Sequence, residues 1–197
     1  GVTIKDGGIA ATAASTITTA DNSNTLTLKS TDADADEGPI LKLHRDSGSP
    51  ADSDIIGEIR FNADNDANED TEYLHFKAQL ADASNGSEDG QIYLIAKKDG
   101  TDRNRFAVKS GETIFNEDSV DVDFRVETNG QTHAIFAEGG TDRVGILNSS
   151  PQKVLDVTGD AKVSTDLTVG DDLFMLSDAA VIHFGADSEV TLTHDHN

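Results

Sequence analysis

Apolar and polar residues alternate along much of this chain, with the period of two that is typical of a half-buried β-strand. One alternating run spans Ile55–Phe61 and a second spans Tyr73–Leu80. Ile92–Lys97 and Asp121–Glu127 repeat the pattern. We therefore predict a strand over each run. Shorter strand candidates are Leu26–Lys29, Ile40–Arg45, Arg103–Lys109, His133–Ala137, Arg143–Leu147, Val181–Phe184 and Val190–His194.

Turn-forming residues separate these runs at the spacing of roughly 8–12 residues expected of all-β proteins. Asn129-Gly130 is the strongest hairpin signal, because both residue types tolerate a positive φ between two alternating runs. Asp89-Gly90 and Asp99-Gly100 are further turn signals. Asp171–Ala180 is compatible with one or two helical turns. The pattern predicts an all-β protein of short antiparallel strands.

Changes in composition divide the chain into three parts. Residues 1–25 are rich in Ala, Thr and Gly, which predicts an extended N-terminal segment. Residues 26–118 hold the longest predicted strands and are interpreted as a β-rich globular domain. In residues 119–197 the predicted strands shorten, with a series of three-to-five-residue strands over Val154–Val169, which indicates a short-strand β stem.

The chain offers little material for a hydrophobic core. Apolar residues make up 36% of its 197 residues, below the usual share for globular domains. We therefore expect that part of the chain is extended or that several chains share one core. The sequence starts at Gly1 without a signal-peptide pattern, which we interpret as a piece or processed form of a longer polypeptide.

Charge and cysteine content exclude several classes of protein. With 37 acidic against 15 basic residues the formal charge is −22, so binding to a nucleic-acid backbone or to anionic lipid is disfavoured. No run of eighteen apolar residues occurs, so we expect no membrane insertion. There is no cysteine, which removes disulfide frameworks and thiolate zinc sites.

The stretch from Asp32 to Gly38 begins like a calcium loop, because Asp32, Asp34 and Asp36 alternate as the first three ligands of such a loop do. The pattern then fails, since the glycine comes one residue late and Leu43 stands where a bidentate Glu is needed. The stretch is a candidate cation loop, and the alternative that we favour is a solvated acidic loop.

A basic cluster interrupts the acidic background between residues 97 and 109. On a regular strand, Arg103, Arg105 and Lys109 would share one face while Phe106 and Val108 took the other. One interpretation is a patch that binds an anionic surface glycan; the other, which we favour, is pairing with neighbouring carboxylates. The candidate patch consists of Lys97, Arg103, Arg105 and Lys109.

His194 and His196 form the one patterned histidine pair. Their spacing puts both imidazoles on one side of a strand, continuing the side of Val190 and Leu192. If three chains met on an axis there, six imidazoles would converge, enough for an octahedral transition metal. A solvent-facing pair is the favoured alternative. No cofactor is otherwise indicated beyond this axial metal or calcium.

Sequence patterns for catalysis are missing, so we expect that the chain is not an enzyme. There is no cysteine nucleophile, no G-x-S-x-G elbow, no H-E-x-x-H zinc motif and no phosphate-binding glycine loop before a helix. With 37 carboxylates, a pair at glycosidase distance would arise by chance, so acid pairs carry no information.

Several long stretches resemble the shaft regions of tail fibre proteins of marine bacteriophages, particularly those that infect cyanobacteria. The likeness covers most of residues 20–197 and departs at Ile146-Leu147-Asn148, where related fibres tend to read Gly-Ile-Gly-Thr. The stretches that carry it are Asn22–Leu28, Leu41–Arg60, Glu112–Gly130, Ala134–Ile146 and Ser149–Gly159.

The resemblance implies an elongated homotrimeric fibre on a virion, with strands in a β-sandwich or β-prism-like arrangement. It also implies a role in host attachment, with self, other virion proteins and a host receptor or glycan as partners. Trimeric phage fibres use His-x-His pairs to hold metal on their axis, which favours a metal at His194 and His196.

Two other classes of function remain open. The first is a calcium-binding bacterial surface adhesin or extracellular filament subunit, since the chain is rich in carboxylates. The second is a tailspike segment that cuts host polysaccharide. It is the weaker alternative, because the chain has no Trp and only two Tyr that could stack on sugar rings.

Overall fold

The computed structural model describes residues 11–180 and residue 182, and in this part of the chain it is all β. No helix occurs among these residues. The described chain divides into two units, the first ending at Phe124 and the second starting at Arg125. The predicted all-β class is therefore confirmed.

The first unit holds a five-stranded sheet in which strand order follows chain order and every neighbouring pair is antiparallel. This simple meander arises because each connection is short enough to return the chain beside the strand it has just left. The strands are β1 (Ile55–Asp64), β2 (Asp70–Asp82), β3 (Asp89–Lys98), β4 (Thr101–Val108) and β5 (Thr113–Phe115).

Turn residues fix two of the hairpins as predicted, whereas Asp89-Gly90, which the sequence predicts as a turn, lies inside β3. Asp99 and Gly100 have φ values of 50° and 75°, and they join Lys98 to its partner Thr101 in a two-residue turn. Two positive φ values match the right-handed twist of the flanking strands, which is why the Asp-Gly pair is favoured there. In the second unit Gly130 has φ 103° in the turn between Asn129 and the next strand.

The register gives the five-stranded sheet one apolar and one polar face, because residues paired across antiparallel strands point to the same side. Phe76 pairs with Ile59 on one side and with Leu94 on the other. The predicted alternation is therefore confirmed over Gly57–Phe61, Leu74–Leu80 and Ile92–Ala96, whereas a bulge between Ile55 and Gly57 breaks it at the start of β1. We call the following set the apolar face: Gly57, Ile59, Phe61, Leu74, Phe76, Ala78, Leu80, Ile92, Leu94, Ala96, Phe106, Val108 and Phe115.

The second unit holds a four-stranded sheet in the order β6-β7-β8-β9. β7 and β8 are antiparallel, whereas β8 and β9 are parallel. The centre of this sheet is Phe136, 6% exposed, opposite Gly145. The strands are β6 (Phe124–Thr128), β7 (Gln131–Glu138), β8 (Arg143–Ile146) and β9 (Leu155–Val157).

Several predicted elements are wrong within the described residues. Leu26–Lys29 and Ile40–Arg45 form no strand, Val154–Val169 holds one strand only at Leu155–Val157, and Asp171–Ala180 forms no helix. Alternation describes how side chains are distributed, but a strand also needs a hydrogen-bonded neighbour, which this chain does not supply there. Apart from Ile182, the candidates Val181–Phe184 and Val190–His194 lie outside the described residues.

Residues 11–46 are exposed throughout. Arg45 fastens the end of this segment to the start of β1, since its Nη1 donates to the Ile55 carbonyl at 3.1 Å and its Nη2 lies 3.1 Å from the Asp54 carboxylate. Leu43 lies against Gly57, where a Cβ would come within 3.1 Å of the Leu43 Cβ. An extended segment therefore reaches one edge of the apolar face.

Gly145 in β8 admits no side chain. A Cβ there would lie 2.3 Å from the Asn148 carbonyl oxygen, so backbone would have to move. We predict that Gly145→Ala lowers the free energy of unfolding by about 1–3 kcal/mol, as overpacking typically does. Denaturant unfolding followed by circular dichroism measures this change.

The matched control is Gly90→Ala, because Gly90 also lies in a strand but has no atom within 4 Å of an added Cβ. It should change stability by no more than about 1 kcal/mol. Equal losses in the two variants would contradict the steric explanation.

Candidate functional site

The basic cluster lies on the β3–β4 hairpin, and its lysines are paired with carboxylates. Lys97 Nζ lies 2.6 Å from the Asp102 carboxylate, its partner across the hairpin. Lys98 Nζ lies 2.8 Å from the Asp99 carboxylate. Lys109 Nζ is hydrogen-bonded to the Glu117 carboxylate. This pairing matches the alternative that we favoured, and binding of an anionic glycan stays a prediction.

Arg103 and Arg105 are not arranged as the sequence predicts. Ala96 pairs with Arg103 and Leu94 pairs with Phe106, so Arg103 shares a face with Phe106. The single-face assignment of Arg103, Arg105 and Lys109 is therefore wrong as a description of β4. The cause is a β-bulge: Ile95 pairs with Asn104 and Leu94 with Phe106, which leaves Arg105 as the extra residue.

The paired groups also shift each other's ionisation. The hydrogen bond from Lys109 to Glu117 raises the pKa of Lys109 above its ordinary value. The hydrogen bond from Lys98 to Asp99, and then the charge of Lys98, lower the pKa of Asp99. Both directions favour the charged forms. The positive charge of the hairpin is thus offset locally.

The segment that follows β5 returns to β4 and fastens to the bulge. Asp118 accepts two hydrogen bonds from Asn104, one from the backbone N at 3.0 Å and one from Nδ2 at 3.1 Å. Asn116 closes the segment by donating from Nδ2 to the Val120 carbonyl at 2.7 Å. The register places Asn104 on the face of Ile95, one of the buried residues of this sheet. No sequence pattern indicates this link.

A charged network occupies the polar face between β1 and β2. Arg60 contacts Glu58 and lies 3.2 Å from the Glu72 carboxylate. His75 Nδ1 lies 2.5 Å from the other oxygen of Glu72. On the next strand pair, Lys77 Nζ lies 4.5 Å from the centroid of the Tyr93 ring. These contacts link neighbouring strands and make the polar face a set of mutually paired groups.

The carboxylates of the candidate cation loop do not converge on one point. Asp32 accepts from the Ala33 backbone N at 2.8 Å, and Asp34 accepts from the Asp36 backbone N at 3.1 Å. All three side chains are exposed. Within residues 11–180 and 182, no three carboxylate or imidazole groups come together in a way that could hold a metal ion. The structure therefore does not bring Asp32, Asp34 and Asp36 together.

His194 and His196 lie outside the described residues, and the axial metal stays a prediction.

A cavity of about 330 Å³ lies where the end of the extended segment meets β1 and β2. The ion pair between Arg45 and Asp54 lies in its wall, beside His44 and Leu80. Its volume is at the lower limit of small-molecule sites. Its lining offers hydrogen-bonding groups for a small polar molecule. The positively charged Arg45 in the lining is already paired with Asp54.

No protein-family model matches this chain, and a comparison with curated proteins finds no match either. Among the described residues, no helix is long and apolar enough to cross a membrane.

We predict that Asp118→Ala lowers the free energy of unfolding by about 1–3 kcal/mol, because it leaves the Asn104 amide groups without their acceptor. Denaturant unfolding measures the loss. The matched control is Asp121→Ala on the same segment, since Asp121 is exposed. Similar losses of unfolding free energy in the two variants would show that the hydrogen bonds between Asp118 and Asn104 contribute no more to stability than an exposed Asp on the same segment.

The raised pKa of Lys109 predicts a dependence of stability on pH. The stabilisation is complete below the ordinary pKa of a lysine and is lost as pH rises through the higher pKa of the folded state. Between about pH 9 and pH 12, wild-type protein should lose more stability than Lys109→Gln. Urea unfolding midpoints across this range measure the difference.

Lys29→Gln is the control for this pH dependence, because Lys29 lies in the exposed extended segment. It should follow wild type at every pH. If Lys109→Gln also ran parallel to wild type, the pairing with Glu117 would have no role in stability.

Proposed function

We propose that this chain is a segment of an elongated homotrimeric fibre on a virion, such as a phage tail fibre, that supports attachment to the host cell. The observation that carries the proposal is the scarcity of buried hydrophobic residues. In the described part of the chain, these residues are Ile95, Ala107 and Phe136. Such a small interior implies that the chain completes its core with other chains, as a fibre subunit does.

Apolar side chains that are open to solvent on both sheets support the same proposal. In the five-stranded sheet Phe61 and Phe76 are 49% and 39% exposed, and in the four-stranded sheet Ile135 and Leu155 are 44% and 63% exposed. Large exposed apolar patches are uncommon on monomeric proteins, and a subunit that packs against other chains would bury them.

Two segments outside the sheets carry apolar side chains that are open to solvent. Leu26 and Leu28 are 61% and 47% exposed, and Leu167 and Phe174 are 71% and 75% exposed. Within a fibre, the same segments of three chains would run side by side and give these side chains partners. The alternating sequence of these segments would then describe contacts between chains.

Leu147 gives local support to the resemblance. Its φ of 55° is in the left-handed region, where a residue other than Gly is strained. Related fibres tend to read Gly-Ile-Gly-Thr around this position, and glycine adopts such a φ without strain. The backbone of this loop therefore suits the sequence that related fibres have.

The charge fits an extracellular setting. Three chains of charge −22 would repel one another at low ionic strength. At the ionic strength of seawater the screening length falls to roughly 4–5 Å, so only close neighbours interact. The fibre would act mechanically, as a rod between other virion proteins and a host receptor or glycan.

Size-exclusion chromatography with light scattering tests the trimer. We expect a molar mass three times that of the 20.8 kDa chain, and rods in negative-stain images of the same fraction. A stable, well-folded monomer at all concentrations would contradict the proposal.

A further inference from the structure

The apolar face of the five-stranded sheet has large side chains open to solvent. Ile59 and Phe61 on β1 are 45% and 49% exposed. Phe76 on β2, Ile92 on β3 and Phe115 on β5 are 39%, 42% and 53% exposed. These residues come from four strands of one sheet, so the open surface extends across it.

Aromatic contacts hold this surface in place without covering it. The rings of Phe61 and Phe76 meet edge to face with centroids 6.3 Å apart. Phe115 lies 5.0 Å from Phe106 and 4.8 Å from Phe124 between ring centroids, and it is still 53% exposed. Pairs of this kind fix the positions of the rings, so the face is a preformed surface.

The opposite face of the sheet is covered more completely within the chain. It bears Ile95 and Ala107, which are 8% and 0% exposed. It also bears the ion pairs of Arg60, and Lys77 over Tyr93. The charged groups Arg60, Glu72 and Lys77 of that face have partners within the chain, although Asn104 Oδ1 is buried there without a hydrogen-bond partner among the described residues. The large side chains of the apolar face are left open.

The open area is large for a single chain. The five exposed side chains present roughly 450 Å² if a free Phe or Ile presents on the order of 200 Å². Apolar patches above a few hundred Å² are rare on monomeric proteins and mark contact surfaces. The half-buried members of the face add to this area, which brings it towards the roughly 800 Å² per partner of a specific interface.

We propose that the apolar face is the surface through which copies of this chain join, with three identical sheets turning this face towards a common axis. The inference rests on the proposed homotrimer and names the surface that makes it. In a triangular prism of sheets, each apolar face contacts the same face of its neighbours. The open residues of one chain then become the shared core of three.

Charge identifies a second copy as the partner. The register places no carboxylate on the apolar face between Gly57 and Phe61, between Leu74 and Leu80, or between Ile92 and Ala96. Two chains of charge −22 can therefore approach closely here without opposing acidic groups. Arg103, beside Ala96, is the basic residue at the margin of the face.

A charge placed on this face should dissociate the assembly. In the double variant Ile59→Lys/Phe61→Lys, unpaired ammonium groups would be buried at the axis, so the dissociation constant should rise at least about 100-fold. Sedimentation equilibrium of the full chain measures it. The matched control is Arg60→Thr, which lies between the two positions on the polar face and should leave the assembly intact.

The reactivity of an introduced thiol tests whether the apolar face is covered, and it changes the protein less than two added lysines do. The chain has no cysteine, so Ile59→Cys and Arg60→Cys each introduce one thiol. In the assembled protein, maleimide should modify Ile59→Cys at least about 10-fold more slowly than Arg60→Cys. On dilution to monomers the two rates should converge.

The outcomes separate this inference from the proposed function. A trimer that survives Ile59→Lys/Phe61→Lys, with rapid labelling of Ile59→Cys, would overturn the inference and leave the trimeric fibre standing. Slow labelling of Ile59→Cys in a monomer would show that a segment of the same chain covers the face, and would also overturn it. A wild-type chain that stays monomeric would overturn the proposed homotrimer itself.

Discussion

A single antiparallel sheet has two faces and can bury neither of them by itself, so a protein built on one needs a second layer. In the first unit, polar contacts link the strands and the following segment on one face. Asp118 fastens the segment after β5 to Asn104, and Arg60 with Glu72 joins β1 to β2. On the other face, residues outside the sheet contribute Leu43 at Gly57 and Phe124, whose ring centroid lies 4.8 Å from that of Phe115. Most of the apolar face can therefore be buried only by groups other than these contacts.

Acidic side chains take positions that leave this face free. Asp82 accepts a hydrogen bond from the Ser84 backbone N at 2.7 Å, and Asp34 accepts one from the Asp36 backbone N. Asp is suited to such turns because its short side chain reaches nearby backbone groups. The high Asp content therefore has a structural basis in the turns. The net charge follows from the number of turns and from the solvent-facing strand positions.

Alternation predicted the strands that have a neighbour in the same chain. Over Leu74–Leu80 the pattern and the register with β3 agree residue by residue. Over Leu26–Lys29 the pattern is as clear, yet no strand forms. The difference is hydrogen bonding between distant parts of the chain, which the order of apolar and polar residues does not encode. A local pattern shows which side chains share one face of a strand. It does not show which other strand is hydrogen-bonded to that strand.

The candidate site was predictable to a similar extent. Pairing of lysines with carboxylates followed from the excess of acid, whereas the bulge at Arg105 did not, because period-two reasoning assumes an uninterrupted ladder. One extra residue moved Arg103 to the side of Phe106. The link between Asp118 and Asn104 was also hidden, since it joins residues 14 positions apart through a loop.

Folding and assembly become one process when a sheet shares its core with other copies. The three buried hydrophobic residues of the described chain supply little of the free energy that ordering a sheet requires. If the apolar face is covered only in the assembly, most of the stabilising burial comes from association, and apparent stability then depends on protomer concentration. Such coupling would limit the amount of free protomer, because a chain that cannot persist alone accumulates only within an assembly.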